Sequence, residues 1–260
     1  MAITEVGGHP SLVIVMPVHN EAGCVTSVVH KWGALASHHN GVLLVLNDGS
    51  TDDTAELLEG LQLKISNLKV IDKPNEGHGA TILRGYREAL ELRPDWVFQT
   101  DSDDQFIPDD FAYLWNARSR SPFLLGCRRD RNDPFHRLVI TRINRLLLLL
   151  LFGVSIQDAN IPYRLIHASF LRELLMQLPF APFAPNIFLS VLARSHDVCL
   201  LESPVSHVKR RTGGVSIVRW SLVKACVTTV RELIAFRIQL TLKRKISASV
   251  PPKKNDDAVS

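Results

Sequence analysis

At 260 residues with 46% hydrophobic side chains, the chain can bury one substantial core and is sized for one or two domains. Its four cysteines, Cys24, Cys127, Cys199 and Cys226, stand far apart with no CxxC pair, which argues against a zinc site or a disulfide framework and for a reducing cytosol. The net charge of +4 is modest but uneven: arginines crowd residues 128–145, further basic residues fill 209–219, and Lys243-Arg244-Lys245 follows. Such patches suit phosphates, an anionic membrane surface or nucleic acid.

The N-terminus, Met1-Ala2-Ile3-Thr4-Glu5, lacks the basic and apolar regions of a signal peptide, so none is expected. Residues 12–16 are a continuous apolar run, read as a buried strand that Pro17 breaks. Residues 22–36 have helical spacing, with Val25, Val28, Val29 and Trp32 on one face. A second buried strand spans 42–46 and ends in Asn47-Asp48-Gly49-Ser50-Thr51-Asp52, before a helix over 53–61. A third strand, 68–71, leads through Lys73-Pro74-Asn75-Glu76-Gly77-His78-Gly79 into a helix over 80–92, and residues 96–98 are the fourth strand. Strand, polar loop and helix thus alternate four times, which predicts a parallel sheet with right-handed crossovers.

The second half is less regular. A helix is predicted over 109–118, a strand over 124–126 and a leucine-rich helix over 137–152. The apolar run 146–152 is far too short to span a bilayer; it reads as a buried core helix or, with Arg137, Arg142 and Arg145 beside it, an interfacial one. Residues 221–242 read as an amphipathic helix for a membrane surface or, alternatively, a partner subunit. The tail from 247 is expected to be disordered. The domain expectation is therefore a catalytic unit over 1–218, a basic amphipathic helix over 219–246 and a tail over 247–260.

Asp101-Ser102-Asp103-Asp104-Gln105 follows the fourth strand at the edge where open α/β sheets bind ligands. Asp101 and Asp103, two apart on an extended backbone, can share one Mg²⁺ or Mn²⁺, with substrate phosphate oxygens completing the shell. The plainer reading is an acidic cap, since Asp109 and Asp110 open a helix just downstream. Asn47-Asp48-Gly49-Ser50 is either a plain turn or a presentation of Asp48 to a nucleoside. The loop 75–79 would let its backbone approach a phosphate, although it has neither the Walker lysine nor GxGxxG spacing. His19 and His78 are expected to be satisfied hydrogen-bonding groups rather than metal ligands.

In this order, the clusters resemble those of the family 2 glycosyltransferases of the GT-A fold, in the polyprenyl-phosphate, dolichol-phosphate mannose synthase-like branch, from about residue 12 to 216. Pro17-Val18-His19-Asn20-Glu21 resembles Pro-x-Tyr-Asn-Glu, and Asn47-Asp48-Gly49-Ser50-Thr51-Asp52 resembles Asp-Asp-Gly-Ser-x-Asp. Asn75, Gly77 and Gly79 match Asn-x-Gly-x-Gly, and Asp101, Asp103 and Gln105 match Asp-x-Asp-x-Gln. Gly126-Cys127-Arg128 resembles Gly-Ser-Arg, and Arg137, Thr141 and Asn144 fit Arg-x3-Ser-x2-Asn. Asp158 to Arg164 resembles Asp-x-Thr-x-Gly-Phe-Arg, and Arg211 to Ser216 matches Arg-x-x-Gly-x-Ser. Asn186 stands where the family usually has an acid, and the C-terminal membrane spans of many relatives are not evident.

The resemblance implies an α/β fold: a GT-A, Rossmann-like, mostly parallel sheet flanked by helices, with a C-terminal amphipathic helix. It implies a metal-dependent, inverting transfer of a sugar from a nucleoside diphosphate sugar (GDP-mannose or a UDP-sugar) to a polyprenyl phosphate. Metal ligands would be Asp101, Asp103 and Gln105. Donor binding would fall to Pro17, His19, Glu21, Asn47, Asp48, Asn75, Gly77, Gly79, Asp101, Ser102, Asp103 and Arg211, and the acceptor phosphate to Arg128, Arg137 and Arg164. Catalytic carboxylates would be Asp103, Asp104 and Asp158. The enzyme would be cytoplasmic and peripheral on the inner face of the membrane, directly or through a partner subunit, with no nucleic acid partner. The rival readings are a transferase of the same fold acting on a soluble or protein hydroxyl, with Asp158 or Asp104 as base, and a catalytically silent sugar-nucleotide-binding scaffold.

Overall fold

The structure, a computed structural model, describes residues 9–128, 135–178, 181–196, 198–208 and 219–249, apart from the side chains of 135–141, 219–223 and 243–249. The first half alternates β1 (Leu12–Val18), α1 (Val25–His38), β2 (Gly41–Asp48), α2 (Thr54–Gln62), β3 (Leu68–Lys73), α3 (His78–Glu91) and β4 (Trp96–Thr100). These strands pair in parallel in the order β3-β2-β1-β4. β1 is buried along its whole length, as its unbroken apolar run demands of a central strand covered on both faces. It continues through Pro17 to Val18, a correction to the break expected there. β4 pairs with β1 only as far as Val15↔Gln99, so Pro17 lies beyond that neighbour and the strand runs on beside β2 alone.

The second half adds α4 (Phe111–Ala117), β5 (Phe123–Arg128), α5 (Phe135–Phe152), β6 (Tyr163–His167), α6 (Ala168–Gln177), α7 (Pro185–Ser195), β7 (Leu201–Val205) and α8 (Arg219–Ser249). The sheet has seven strands in the order β3-β2-β1-β4-β6-β5-β7. β6 is antiparallel to both β4 and β5, while β5 and β7 are parallel. That single reversal matters for function. Tyr163, where β6 begins, pairs with Thr100, where β4 ends, so the chain entering β6 arrives at the carboxyl edge of the parallel strands.

Four elements have no counterpart in the sequence reading. β6 carries Arg164 at its second position, and β7 (LESPV) holds a glutamate and a proline at a sheet edge, so neither shows an apolar run. α7 is buried continuously from Pro185 to Ala193 and so lacks a polar face to reveal its period. α6 is ten residues long and buries Ala168, Phe170, Leu171 and Leu174.

The C-terminal helix also departs from expectation. Leu233 and Phe236 of α8 are buried, with the Phe236 ring 5.2 Å from Phe188 of α7 and 6.0 Å from Phe152 of α5. On the opposite side Val227, Ile234, Ile238 and Leu242 are exposed. α8 thus has two apolar stripes, one packed on the domain and one open, instead of a single amphipathic division.

Candidate active site

The loops leaving β1 and β2 are stitched into one surface. His19 Nδ1 donates to the carbonyl of Asp48 at 2.8 Å, which fixes its tautomer and leaves Nε2 as the acceptor. Asn20, at φ +55°, accepts on Oδ1 from the Thr51 amide at 2.7 Å and donates its own amide to Ser50 Oγ at 3.0 Å. The amides of Glu21 and Ala22 donate to Thr54 Oγ1 and Asp52 Oδ2 at 2.9 and 3.2 Å. A β-carbon on Gly49, at φ +61°, would lie 2.7 Å from the Asn75 amide, so only glycine lets this turn meet the third loop.

Two residues expected to contact the donor also brace this frame. Asn47 is 3% exposed and donates to Asp72 Oδ1 at 2.7 Å, linking β2 to β3. Asp48 is 4% exposed, and its Oδ1 accepts from Lys73 Nζ and, at 2.9 Å, from the Glu76 amide. Burial raises the Asp48 pKa, but Lys73, the Glu76 amide and Thr81 together hold it below its ordinary value. Asn47 and Asp48 therefore shape the loops around the cleft. Lys73, buried and paired with Asp48, is a site residue that the sequence reading passed over.

The loop 74–77 delivers α3, whose first residue, His78, places Nε2 3.8 Å from Asp101 Oδ1. Gly77 sits at φ +88° with open space where a β-carbon would be, whereas one on Gly79 would stand 2.2 Å from the Phe183 carbonyl oxygen. Gly79, expected to contact the donor, thus admits the segment before α7 at close range.

The end of β4 is polar and under-satisfied. Gln99 Nε2, Thr100 Oγ1 and Asp101 Oδ1 are buried with no hydrogen-bond partner among the described residues. Burial raises the Asp101 pKa to about 6; His78 and Arg128 oppose the rise, while Asp103 and Glu21 add to it. A buried, unsatisfied carboxylate oxygen beside a second carboxylate two residues on suits a hard divalent cation. Among the described residues no three His, Cys, Asp or Glu side chains group as a metal site. Asp103 Oδ1 accepts from the Gln105 amide at 3.2 Å. The Gln105 side chain donates Nε2 to the Val208 carbonyl at 3.0 Å. Cys24 Sγ reaches both Glu21 Oε2 and the Ser102 carbonyl at 3.4 Å, tying the β1 loop to the carboxylate loop.

On the other side of the cleft, Arg128 closes β5 with Nη1 3.6 Å from Asp158 Oδ2 and its guanidinium 5.9 Å from the Phe106 ring. Asp158 is 6% exposed. Asp104, at φ +57°, has both carboxylate oxygens on Lys31 Nζ at 2.7 and 2.9 Å, so it must give up this pair before acting as a base. Arg164 is fully buried, and its guanidinium donates to the carbonyls of Ile161, Asn186 and Ala159. Arg164, expected at the acceptor phosphate, thus makes its described hydrogen bonds within the protein. The Arg137 side chain, and Arg211 altogether, lie outside the described residues.

Comparison with known proteins gives both relatives in sequence and a shared fold. The chain is 26% identical over 205 residues to the undecaprenyl-phosphate 4-deoxy-4-formamido-L-arabinose transferase of Edwardsiella ictaluri, covering 77% of this chain and 61% of that protein. It is 25% identical over 236 residues to the polyprenol monophosphomannose synthase of Mycolicibacterium smegmatis, covering 85% of each. The chain thus spans about three fifths of the arabinose transferase and most of the mannose synthase. Its fold matches that of Mycobacterium tuberculosis glucosyl-3-phosphoglycerate synthase solved with Mn²⁺, UDP-glucose and phosphoglyceric acid, with a TM-score of 0.61 at 19% identity over 88% of this chain and 79% of that one. The same synthase with UDP gives a TM-score of 0.64 at 20% identity over 88% and 80%. The sheet, with its one reversed strand, is that of the GT-A glycosyltransferases. The family described as "Glycosyl transferase family 2" matches residues 13–175, and it is to this family that the chain belongs.

Proposed function

We propose that the protein is an inverting glycosyltransferase that moves a sugar from a nucleoside diphosphate donor to a polyprenyl phosphate. The observation that carries the acceptor half is the Arg128–Asp158 pair at the end of β5, across the sheet edge from Asp101 and Asp103. A phosphate acceptor is already ionised near neutral pH, so it needs a cation more than a base. Arg128 supplies that cation, and Asp158 orients it; Arg137 is the second proposed contact. His19, Asn75, Gly77 and the 74–77 backbone line the donor side, Glu21 and Ser102 lie beneath it, and Arg211 closes over the diphosphate. Mg²⁺ or Mn²⁺ held by Asp101 and Asp103 would offset the charge that builds on the departing nucleoside diphosphate.

The names of the relatives support this class of acceptor. So does the surface of α5 and α8. α5 contains no acidic residue and exposes Ile143, Leu146, Leu149 and Leu150 beside Arg142 and Arg145. α8 exposes its second apolar stripe beside Lys224, Arg231 and Arg237. Its single acid, Glu232, is turned inward to accept from the Phe183 amide at 3.0 Å. No described helix is long and apolar enough to cross a membrane. We therefore propose peripheral docking on an anionic inner leaflet, where the enzyme meets a lipid-borne acceptor. Incubating the protein with Mn²⁺ and labelled UDP- and GDP-sugars, with and without polyprenyl phosphate in vesicles, tests the reading. Label should enter the lipid phase only with the phosphate. Transfer to a soluble hydroxyl acceptor instead would establish the rival reaction, with Asp158 as the base.

A further inference from the structure

We infer that Arg164, rather than meeting the acceptor itself, is a positioning residue that holds Asp158 and, through it, Arg128 in register with the carboxylate loop. The inference rests on the acceptor reading above. Arg164 stands opposite Gln99 in the β4–β6 ladder, two residues before Asp101. From there its fully buried side chain runs back under the segment that follows Asp158. Nε donates to the Ile161 carbonyl at 3.1 Å, and Nη2 donates to the carbonyls of Ile161 at 2.7 Å and Ala159 at 3.1 Å. Nη1 donates to the Asn186 carbonyl at 3.0 Å and to Ser190 Oγ at 3.4 Å.

The network closes on the metal strand. Asn186 Nδ2 donates to Gln99 Oε1 at 2.9 Å, and Tyr86 OH donates to the same oxygen at 3.0 Å. Ser190 Oγ lies 3.2 Å from the Ala159 carbonyl, bracing the loop from α7 as well. One guanidinium fork thus joins β6, the 159–161 backbone and the first turns of α7. Burial lowers its pKa to about 10, and Tyr86, Asp158 and Asp101 oppose that fall, so Arg164 remains a cation at neutral pH. Its partners are neutral carbonyls and a hydroxyl. A buried cation costs free energy unless its donors are filled, and these five contacts fill them at a fixed angle. That geometry defines where the chain leaves Asp158. Asp158 in turn lies 3.6 Å from Arg128 Nη1.

Arg164→Lys keeps the charge and loses the fork. The apparent KM for polyprenyl phosphate in vesicles should rise about 10- to 100-fold, the range for partners that orient a contact residue. Kd for the nucleoside diphosphate with Mn²⁺ should stay within about twofold, since Arg164 itself bonds only the 159–161 carbonyls, Asn186 and Ser190, none of them a donor contact in the reading above. The amides of 159–161 should exchange hydrogen faster. In an Asp158→Asn background the same change should add less than about twofold, because the path through Asp158 is already cut. A purely structural role predicts the opposite: additive effects, with donor affinity falling alongside acceptor KM. Either result overturns the inference. If Arg164→Lys does not fold, Ser190→Ala carries the same comparison, with a KM rise of roughly threefold expected for one lost hydrogen bond. If the wild-type protein transfers nothing to polyprenyl phosphate, the acceptor reading falls. Exchange then decides the strut alone, and unchanged protection at 159–161 overturns it.

Discussion

Gln105 and Val208 exchange two hydrogen bonds: Gln105 Nε2 donates to the Val208 carbonyl at 3.0 Å, and the Val208 amide to the Gln105 carbonyl at 2.9 Å. The chain leaving β7 is thereby pinned to the loop that carries Asp101 and Asp103. Arg211 follows three residues later in the sequence and is proposed to close over the diphosphate. Gln105→Ala should weaken nucleoside diphosphate binding in Mn²⁺ by roughly fivefold, about 1 kcal/mol for a lost hydrogen bond, and leave Mn²⁺ affinity without nucleotide unchanged. Arg211→Ala should cost more, about 10- to 100-fold, as expected of a charge-assisted contact. Calorimetry separates the cases. A Gln105→Ala protein that loses Mn²⁺ affinity in the absence of nucleotide would make the Gln105 side-chain oxygen a metal ligand.

Asp103→Ala removes a half-exposed carboxylate whose only described bond is to its own loop, so the fold should survive. Turnover should drop on the order of 10²-fold or more, because leaving-group charge is no longer offset. The matching control is wild-type protein in EDTA. Full activity in either case would remove the cation from the mechanism.

The pH dependence of cation binding follows from Asp101. Its pKa is about 6 in the folded protein against an ordinary 3.8, chiefly through burial, with Asp103 and Glu21 adding to the rise against His78 and Arg128. The metal-free fold thus holds this proton more tightly than the unfolded chain does. The associated stability is fully present below pH 3.8 and is lost as pH rises through about 6. A cation favours the ionised form, so Mn²⁺ should raise the melting temperature more at pH 7 than at pH 5. Equal shifts at the two values would show that Asp101 does not bind the ion.

Gly79→Ala places a methyl group 2.2 Å from the Phe183 carbonyl oxygen, a backbone atom that cannot simply rotate away. Overpacking of this kind costs about 1–3 kcal/mol. The melting temperature should fall, whereas Gly77→Ala, with open space around it, should act only through its strained φ of +88°. Comparing the two by thermal denaturation isolates the packing role of Gly79.

How much of this was legible in the chain depends on the type of signal. The four parallel strands declared themselves because each is an apolar run ending in a polar loop, and β1 to β4 bear this out. β6 did not, because the arginine at its second position breaks the run, and only the fold reveals that Arg164 is satisfied by carbonyls brought from α7 and the 159–161 segment. The same limit hid Lys73, whose partner Asp48 lies 25 residues away. By composition Asn47 and Asp48 fit a turn as well as a donor contact, and only the fold reveals the bonds to Asp72, Lys73 and the Glu76 amide that hold them in place.

The membrane reading is the most exposed to test. Moving a long polyprenyl chain out of the bilayer costs roughly 0.8 kcal/mol per CH₂, so a transferase with the proposed acceptor has to meet it at the membrane. The open stripe of α8, Val227, Ile234, Ile238 and Leu242, recurs at seven, four and four residues and so lies along one side of the helix. Arg231 interrupts it on the same side, and the exposed leucines of α5 sit on a helix that packs against α8. Apolar insertion and basic attraction would act together, with each basic residue near the surface contributing about 1 kcal/mol. The protein should therefore float with anionic vesicles at low salt and be released progressively as salt is raised. Ile234→Asp with Ile238→Asp should abolish flotation without unfolding, since both side chains already face solvent. Mutant protein that still floats, or wild-type protein that binds neutral and anionic vesicles equally at every salt concentration, would place the docking surface elsewhere.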